Sequence, residues 1–261
     1  MFFNNSDRDW GKFGKFNPYY GVISQEKFDH KNLTDESIKE FFNSGKKHVE
    51  FILDSIKIST GTLLKFNSAL DFGCGVGRIT FPLSEYFDTT VGVDVSDAML
   101  NEAKANSLKY RIKNINFFKT KDFFLSNDKK YDLIHSFIVF QHIPSSKGMK
   151  LFILLLDLLE VNGVAVIHFV YASNCSKVDR LKSFIRKNIP MGNILSNIIN
   201  GRKIFDPLMQ MNKYNLNKIY RIIQNRGFRI GYHSFTDHGG ELGIILFIVN
   251  DKLGAISEGN D

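Results

Sequence analysis

Three glycines at alternate positions, Gly73, Gly75 and Gly77, form the pattern in this sequence that most directly suggests chemistry. They follow a short apolar run that contains Asp71, and a helical pattern begins just after them. Glycine allows tight turns and lets a ligand approach the main chain closely. The first amides of a helix lack helical partners and favour an anionic group. We therefore expect a ligand-binding loop between a strand and a helix, with Pro82 tolerated in the first helical turn.

A second acidic residue, Asp94, follows the next apolar run, 17 residues after Gly77. That spacing suits the acidic residue that accepts hydrogen bonds from ribose hydroxyls in Rossmann-like sites. The loop itself reads GxGxG and so differs from the dinucleotide pattern GxGxxG. We expect both acidic residues at the carboxyl ends of parallel strands, where open α/β sheets bind ligands.

Alternating apolar runs and helical patterns supply the elements that position these residues. The predicted strands are residues 69–72, 90–95, 115–120, 131–137 and 164–171, and the predicted helices are residues 78–87, 97–110 and 145–159. Asn162-Gly163 is predicted to turn the chain into the fifth strand. A helix is predicted over 215–225, with strands over 228–235 and 243–249. The turn between them, 236–241, is too short for a parallel crossover, so this last pair is predicted to be antiparallel.

The acidic residue before GxGxG resembles the first motif of class I S-adenosylmethionine-dependent methyltransferases. Four later segments are similar to that family in the expected order: residues 91–100, 121–123, 131–134 and 140–144. The resemblance covers about residues 48–250. It implies an α/β, Rossmann-like class I methyltransferase fold. Its sheet would be seven-stranded and mostly parallel, with a C-terminal antiparallel hairpin and helices on both faces. Residues 1–65 would form an N-terminal aromatic and helical arm, and residues 66–261 the methyltransferase domain.

The resemblance also implies a set of contacts to S-adenosylmethionine. The methionine part would be held by the glycine loop with its preceding acidic residue: Asp71, Gly73, Cys74, Gly75 and Gly77. Asp94 would bind the ribose, and the adenine would be bound by the residues after the second and third strands: Val95, Met99, Asp122 and Phe123. Asp94 and Asp122 have an alternative role as helix caps. Cys74 is expected to pack as a small apolar residue rather than to act as a nucleophile.

Transfer of an activated methyl group mainly requires alignment of donor and acceptor, and a hydroxyl or ammonium acceptor must also lose a proton. His142 is the first candidate base because histidine titrates near neutral pH and this residue follows the fourth strand. The alternative is a histidine that only shapes its loop or contacts the cofactor. Asp237-His238 is a second candidate pair, with a plain polar turn as the alternative, and His168 is expected to be a satisfied core residue.

Composition excludes several classes of protein. The 261 residues are 43% hydrophobic and 23% charged, which is globular usage. Two cysteines cannot build a disulfide scaffold, and no CxxC pair suggests zinc, so no metal site is expected. The N-terminus lacks a basic-then-apolar signal pattern. The most apolar stretch, residues 151–170, contains acidic residues and is not expected to span a membrane. We expect a cytoplasmic protein.

Positive charge is concentrated in one region. Residues 173–230 carry twelve Lys and Arg and two Asp, a net charge of +10, whereas the whole chain carries +7. This region includes most of a long connection, 172–213, which we interpret as a basic substrate cap and which favours an anionic acceptor. It could instead lie on the inner face of a membrane, or pack on the domain with a solvated charged face.

The leading functional hypothesis is O-methylation of a sugar hydroxyl in bacterial surface-glycan biosynthesis. It depends on a weaker resemblance, through residues 18–22 and 45–50, to methyltransferases of surface-polysaccharide biosynthesis. Nucleic acid is disfavoured: residues 140–144 lack the Asn/Asp-Pro-Pro-aromatic motif of amino-methylating enzymes, and neither cysteine follows a proline. Another small metabolite, tRNA, and a catalytically inactive cofactor-binding regulatory subunit stay open as alternatives. The sequence does not indicate an oligomeric state.

Overall fold

A seven-stranded sheet forms the centre of the computed structural model, which describes residues 6–61, 64–174, 185 and 207–251. Its strand order is β3-β2-β1-β4-β5-β7-β6. All neighbours from β3 to β5 pair in parallel, and β7 runs antiparallel to both β5 and β6. In chain order the strands are β1 (Ser68–Phe72), β2 (Thr89–Asp94), β3 (Ile115–Lys119), β4 (Tyr131–Ser136), β5 (Leu159–Ser173), β6 (Arg229–His238) and β7 (Glu241–Val249). The predicted fold class is therefore confirmed.

Helices cover both faces of this sheet. They are α1 (Ser6–Phe16), α2 (Pro18–Val22), α3 (Asp35–Ser59), α4 (Thr80–Ser84), α5 (Asp97–Lys109), α6 (Thr120–Ser126), α7 (Ser145–Asp157) and α8 (Leu216–Asn225). Short 3₁₀ turns lie at Glu26–Phe28 and Phe140–His142. Apolar side chains of α3 and α4 pack on one face, and those of α6, α7 and α8 pack on the other. Burial of both faces explains why the parallel strands are continuous apolar runs in the sequence.

The long helix α3 belongs to the sheet's core although the sequence placed it in the N-terminal arm. Its start is fixed by a capping box, in which the amide of Ser37 donates to Thr34 and the amide of Thr34 donates to the Ser37 hydroxyl. Its buried residues Val49 and Ile52 join the same apolar cluster as β1 and β5. Residues before 65 therefore contribute directly to the framework that holds the site.

Two predicted boundaries are wrong, and both lie next to turns. The helix predicted over 78–87 is only Thr80–Ser84, because the glycine loop continues as turns up to residue 79. The predicted turn at Asn162-Gly163 lies inside β5, which begins at Leu159. Asn162 has φ +63 there, and the pairing of β4 with β5 shifts register between Tyr131 and Leu133. The turn residues therefore make a bulge at the start of the strand instead of ending a loop.

The C-terminal hairpin is longer than predicted and closes at Gly239 and Gly240. Both glycines have positive φ, +67 and +88, as a tight hairpin turn requires. Strand β6 therefore extends to His238, and β7 begins at Glu241.

Most of the predicted basic cap lies outside the described residues, since 175–206 are described only at residue 185. Its last part, residues 207–214, is described and packs beside the carboxyl edge of the sheet: the amide of Asn212 donates to the Gln141 carbonyl and that of Tyr214 to the Val170 carbonyl. Within the described residues, no helix has the length and apolar character needed to cross a membrane. No cluster of metal-ligating side chains occurs in that part of the chain either.

Candidate cofactor and acceptor site

A cavity lies at the carboxyl edge of β1, β2 and β4, and helices α1 and α2 cover it. The structure brings most of the predicted site residues to its walls: Asp71, Gly73, Cys74, Gly75, Asp94, Val95, Met99 and His142. Further lining comes from residues that the sequence did not single out, including Trp10, Arg78, His135 and Phe137.

The glycine loop has the shape that its spacing predicts. Gly73, Gly75 and Gly77 have φ of +82, +53 and +93, a region that other residues rarely adopt. The amides of Gly73 and Cys74 both donate to the Val93 carbonyl, at 2.7 and 3.1 Å, which ties the loop to the end of β2. A Cβ on Gly73 would lie 2.3 Å from a Val139 methyl group, so only glycine fits where this wall closes on the cavity.

Asp94 organises the loop and still has acceptor capacity. One carboxylate oxygen accepts from the Gly75 amide at 3.0 Å, and the other accepts from the Ser96 amide at 2.9 Å. Each oxygen has a further lone pair that can accept from a ligand hydroxyl. Burial raises the pKa of Asp94 to about 6, although the two amides oppose that rise. The residue is therefore charged at neutral pH and suited to a diol, beside an apolar wall of Val95 and Met99.

Asp71 binds to the protein through both carboxylate oxygens. Its carboxylate accepts from the Thr80 hydroxyl at 2.6 Å and from Nδ1 of His135 at 2.8 Å. The other nitrogen of His135, Nε2, lies 3.1 Å from Nε2 of His48 on α3. Because a neutral His135 that donates through Nδ1 can only accept at Nε2, His48 is the donor in this pair. Asp71 thus fixes the start of α4 and the orientation of His135.

The N-terminal helices form a wall of the cavity and do not constitute a separate appendage. Gly14 of α1 packs so closely on α5 that an added Cβ would lie 2.6 Å from the Ser96 hydroxyl. Ser6 donates to the His142 carbonyl at 3.0 Å, and Asp7 pairs with Lys147 of α7 at 2.8 Å. Val22 of α2 lies over Gly75. Together these contacts close the cavity on the side away from the sheet.

The segment after β4 carries backbone strain at the cavity wall. Ile138 has φ +59, an unusual conformation for a β-branched residue, and it lines the cavity with Phe137 and Val139. Strain of this kind occurs where the surrounding structure over-determines the backbone, often at functional sites.

His142 lies at the cavity wall with both ring nitrogens engaged. Nδ1 donates to the Gln210 carbonyl at 2.7 Å, and Nε2 lies 3.3 Å from the Gln141 side-chain amide, which donates to it. The Trp10 ring packs 5.0 Å from the imidazole. Burial lowers the pKa of His142 to about 4, so the ring is neutral at neutral pH. Its role as a base stays a prediction and requires Gln141 to release Nε2.

The other two histidine predictions meet different environments. His168 is buried as expected, and its Nε2 lies 2.9 Å from the Thr236 hydroxyl, but its buried Nδ1 has no partner among the residues that the structure describes. It is therefore not the satisfied core residue that the sequence suggested. Asp237 accepts from the Gly240 amide at 2.6 Å within the hairpin turn, as a polar turn residue does. Its neighbour His238 packs against the His168 ring.

Cys74 packs as the sequence predicts. It is buried, and burial raises the pKa of its thiol well above the ordinary value, so no thiolate is present at neutral pH. It contributes an apolar surface to the cavity wall.

Three predicted cofactor residues do not line the cavity. Gly77 instead leaves room for the Phe81 ring, which an added Cβ would meet at 2.5 Å. Asp122 is exposed in the first turn of α6 but is not its cap residue, which is Lys119, and Phe123 is buried in the core. After β3, the residue that reaches the cavity is Thr120. The predicted adenine contacts of Asp122 and Phe123 therefore do not agree with their positions.

Most of the site residues that the sequence did not indicate are distant from the motifs in the chain, whereas Arg78 directly follows the glycine loop. Trp10 and Gln210 hold His142 from opposite ends of the sequence, and His48 and Arg78 lie behind Asp71. The only signals were the aromatic richness of residues 10–20 and the arginine that directly follows the glycine loop.

Comparison with known proteins agrees with this geometry. Residues 70–164 match a family model described as a methyltransferase domain. The chain is 31% identical over 120 residues to a ubiquinone biosynthesis O-methyltransferase of Rickettsia typhi, a match that covers 46% of this chain and 47% of that protein. It is 29% identical over 86 residues to a 23S rRNA (uracil(1939)-C(5))-methyltransferase of Francisella tularensis, covering 33% of this chain and 18% of that protein. The chain thus spans less than half the length of these curated relatives.

Solved structures share the whole architecture. Magnesium protoporphyrin IX methyltransferase from Synechocystis PCC 6803 with bound SAH has a TM-score of 0.58 at 18% identity, covering 95% of this chain and all of that one. N-methyltransferase NodS from Bradyrhizobium japonicum WM9, also with SAH, has a TM-score of 0.58 at 12% identity, covering 95% of this chain and 99% of that one. At such identities the likeness establishes the fold. Residues 70–164 thus match a methyltransferase domain, and the chain shares its fold with S-adenosylmethionine-dependent methyltransferases of known structure.

Proposed function

We propose that this chain transfers the methyl group of S-adenosylmethionine to a hydroxyl of a small acceptor, in the first place a sugar hydroxyl of a bacterial surface-glycan precursor. One observation carries the proposal. A single cavity joins the glycine loop and Asp94 at one end to His135, Phe137 and His142 at the other. A donor and an acceptor can therefore be held side by side.

The residues of the first end fit the cofactor. The close approach of the main chain at Gly73, the free lone pairs of Asp94 and the apolar surface of Met99 suit an amino acid, a ribose and a purine respectively. When bound, the cofactor supplies a methyl group already activated on a sulfonium. The protein's contribution is then alignment and exclusion of water. Helices α1 and α2 supply the exclusion because they cover the cavity.

Proton removal from the acceptor hydroxyl is the remaining task. His142 is neutral at neutral pH, since burial holds its pKa near 4, and a neutral imidazole can accept a proton. Gln210 fixes the proton on Nδ1, which leaves Nε2 as the accepting nitrogen. An acceptor hydroxyl that displaces the Gln141 amide would meet this atom.

The covering helices favour a small acceptor over a folded RNA. Trp10 and Val22 lie above the methyl-transfer end and the loop, and Asp7 is tied across to Lys147. A duplex or stem could not reach His142 without displacing them.

A phenolic metabolite is the second candidate acceptor. The relative from Rickettsia typhi is a ubiquinone biosynthesis O-methyltransferase, and the cavity carries the aromatic walls Trp10 and Phe137, on which a phenol ring can stack. Both candidates share the same chemistry, removal of a hydroxyl proton and methylation of the oxygen.

A labelled methyl donor discriminates among these acceptors. Purified protein is offered the donor with nucleotide sugars, lipid-linked glycans, a phenol-containing metabolite extract, or tRNA in separate reactions. We expect label in a glycan fraction, whereas label only in the phenolic extract would favour the second candidate. Label only in tRNA would overturn the small-acceptor proposal. Tight SAH binding without label in any fraction would favour a regulatory, cofactor-binding role.

A further inference from the structure

Four histidine rings gather on the α3 face of the sheet around Phe137. They are His48, His135, His168 and His238, here called the histidine cluster. The Phe137 ring centroid lies 4.2 Å from that of His48, 5.2 Å from that of His168 and 6.0 Å from that of His238. Phe137 and His135 also line the cavity. The cluster therefore borders the end of the cavity where the acceptor is proposed to bind.

Two polar atoms next to this cluster are buried without a hydrogen-bond partner among the described residues. One is Nε of Arg78, whose residue is only 9% exposed and lines the cavity. The other is Nδ1 of His168, a residue with no exposed surface that does not line the cavity. A buried guanidinium with an unmet N–H is costly, because the interior cannot replace the hydration that it has lost. A ligand in the cavity can meet this N–H of Arg78.

Carboxylates of the protein do not complete Arg78. Among the described residues no ion pair forms with its guanidinium, and its Nη1 makes only a long 3.4 Å contact with the Ser44 hydroxyl. Asp71 is the nearby carboxylate; its charge raises the pKa of Arg78, but its hydrogen bonds go to Thr80 and His135. Asp237 is held in the hairpin turn by Gly240. The guanidinium of Arg78 therefore forms no direct ion pair within the described part of the chain.

Burial lowers the pKa of Arg78 to about 10, although the charge of Asp71 opposes that change. Burial together with repulsion from His135, Arg78 and His168 lowers the pKa of His48 well below its ordinary value. Arg78 and His168 therefore both act on His48. An anion bound to Arg78 would offset this repulsion and form charge-assisted hydrogen bonds.

We propose that Arg78 receives an anionic group of the methyl acceptor, a carboxylate or a phosphate, beside Phe137 and next to His48 and His168. The proposal rests on the proposed function and adds the chemical class of the acceptor. A guanidinium binds either anion, so the site defines the charge of the acceptor while His142 faces its hydroxyl. Phe137 would pack on the apolar part between them.

Histidine NMR tests the site with simple probes. Protein saturated with SAH is titrated separately with inorganic phosphate and with acetate, while the imidazole signals of His48 and His168 are followed. We expect saturable shifts of both signals with at least one probe, weakened tenfold or more in Arg78→Gln. His168→Gln keeps a polar side chain near Thr236. It should weaken binding of the anion without unfolding the protein. The matched control Arg226→Gln, which removes a surface arginine paired with Asp157, should change nothing.

A second titration separates the acceptor from the cofactor as the source of the anion. SAH carries an amino-acid carboxylate, and 5′-methylthioadenosine lacks it. The proposal expects Arg78→Gln to bind both compounds as wild type does. A tenfold loss for SAH alone would assign Arg78 to the cofactor and overturn the acceptor site. Absence of histidine shifts with both anions would overturn it as well. Failure of wild type to bind SAH would instead refute the proposed function itself.

Discussion

The two ends of the cavity are built in different ways. The end proposed for the cofactor, made of the glycine loop with Asp94, Val95 and Met99, comes from residues close together in the chain and depends largely on main-chain shape. The end proposed for the acceptor is lined by Arg78, His135, Phe137 and His142, from β4 and the segments that follow β1 and β4. The other histidines of the cluster, on α3, β5 and β6, pack around Phe137.

This difference explains which chemistry the sequence reveals. A main-chain site restricts residue type at each position, as at Gly73, where positive φ and the nearby Val139 both require glycine. A side-chain site places no pattern on neighbouring positions. It depends on the fold to bring His48 and His135 together, although they are 87 residues apart.

The largest expected effect is a loss of methyl-transfer rate, without loss of SAH affinity, when the proposed acceptor end is changed. His142→Gln should slow methyl transfer by about 100-fold or more, as loss of a general base does, while SAH affinity stays within about threefold of wild type because the cofactor end is untouched. Single-turnover rates and calorimetry measure the two quantities. His233→Gln, an exposed histidine on β6, is the control. A normal rate in His142→Gln would exclude it as the base.

The opposite effect, a loss of SAH affinity, is expected when the glycine loop is changed. Gly73→Ala should weaken SAH binding by about 100-fold, because a left-handed alanine costs roughly 1–2 kcal/mol and overlap with Val139 adds about 1–3 kcal/mol. Gly227→Ala is the matched control, with φ +69 and open space around the added Cβ. It should lower the thermal midpoint and leave the SAH affinity unchanged. Equal losses of affinity in the two variants would mean that strain alone, and not the cavity wall, determines binding.

Asp94→Ala should weaken SAH binding by about 1–3 kcal/mol through loss of a buried hydrogen-bond acceptor. The control is Asp97, which lies three residues after Asp94 and pairs with Lys119 at the surface. Asp97→Ala removes this exposed carboxylate and should have no measurable effect on SAH affinity. Calorimetry of both variants decides the matter. Unchanged affinity in Asp94→Ala would remove this residue from the site.

The raised pKa of Asp94 predicts a pH dependence with a definite sign. The carboxylate accepts ribose hydroxyls better than the protonated acid does, so affinity should be highest above the pKa of about 6. Lowering the pH from 7 to 5 protonates Asp94 in the SAH-free protein and should raise the Kd for SAH by about tenfold. In Asp94→Asn this dependence should vanish. A Kd for wild type that stays constant over the same range would contradict the raised pKa.

The smallest effect concerns the cover over the acceptor end. Trp10→Ala should slow methyl transfer by roughly 2- to 10-fold, because an aromatic contact of about 0.5–1.5 kcal/mol holds the His142 ring in place. Phe16→Ala changes an aromatic residue of the same helix that is 63% exposed, and it should have a normal rate. If both variants slow the reaction alike, α1 acts through its overall packing and not through Trp10.

Much of the fold could be predicted because its signals are local. Apolar runs and turn residues located all seven strands, and the short link before β7 established its direction. The glycine motif and Asp94 were found for the same reason. Asp122 was misplaced because an acidic residue after a strand is equally suited to the first turn of a helix, which is where it lies.

Long-range side-chain contacts set the limit of the sequence prediction. No spacing indicated that Gln210 would accept from His142, or that Asp71 would bind His135 and Thr80. The bulge at Asn162 was not predicted because a turn-forming pair of residues has the same sequence signal whether it ends a strand or bends one.

A crystal structure of the protein with SAH is the decisive test of the cofactor site. We expect one SAH in the cavity, with its ribose hydroxyls on Asp94, its adenine against Val95 and Met99, and its sulfur directed towards the His142 end. SAH bound elsewhere, or bound here with its ribose away from Asp94, would overturn this assignment of the site.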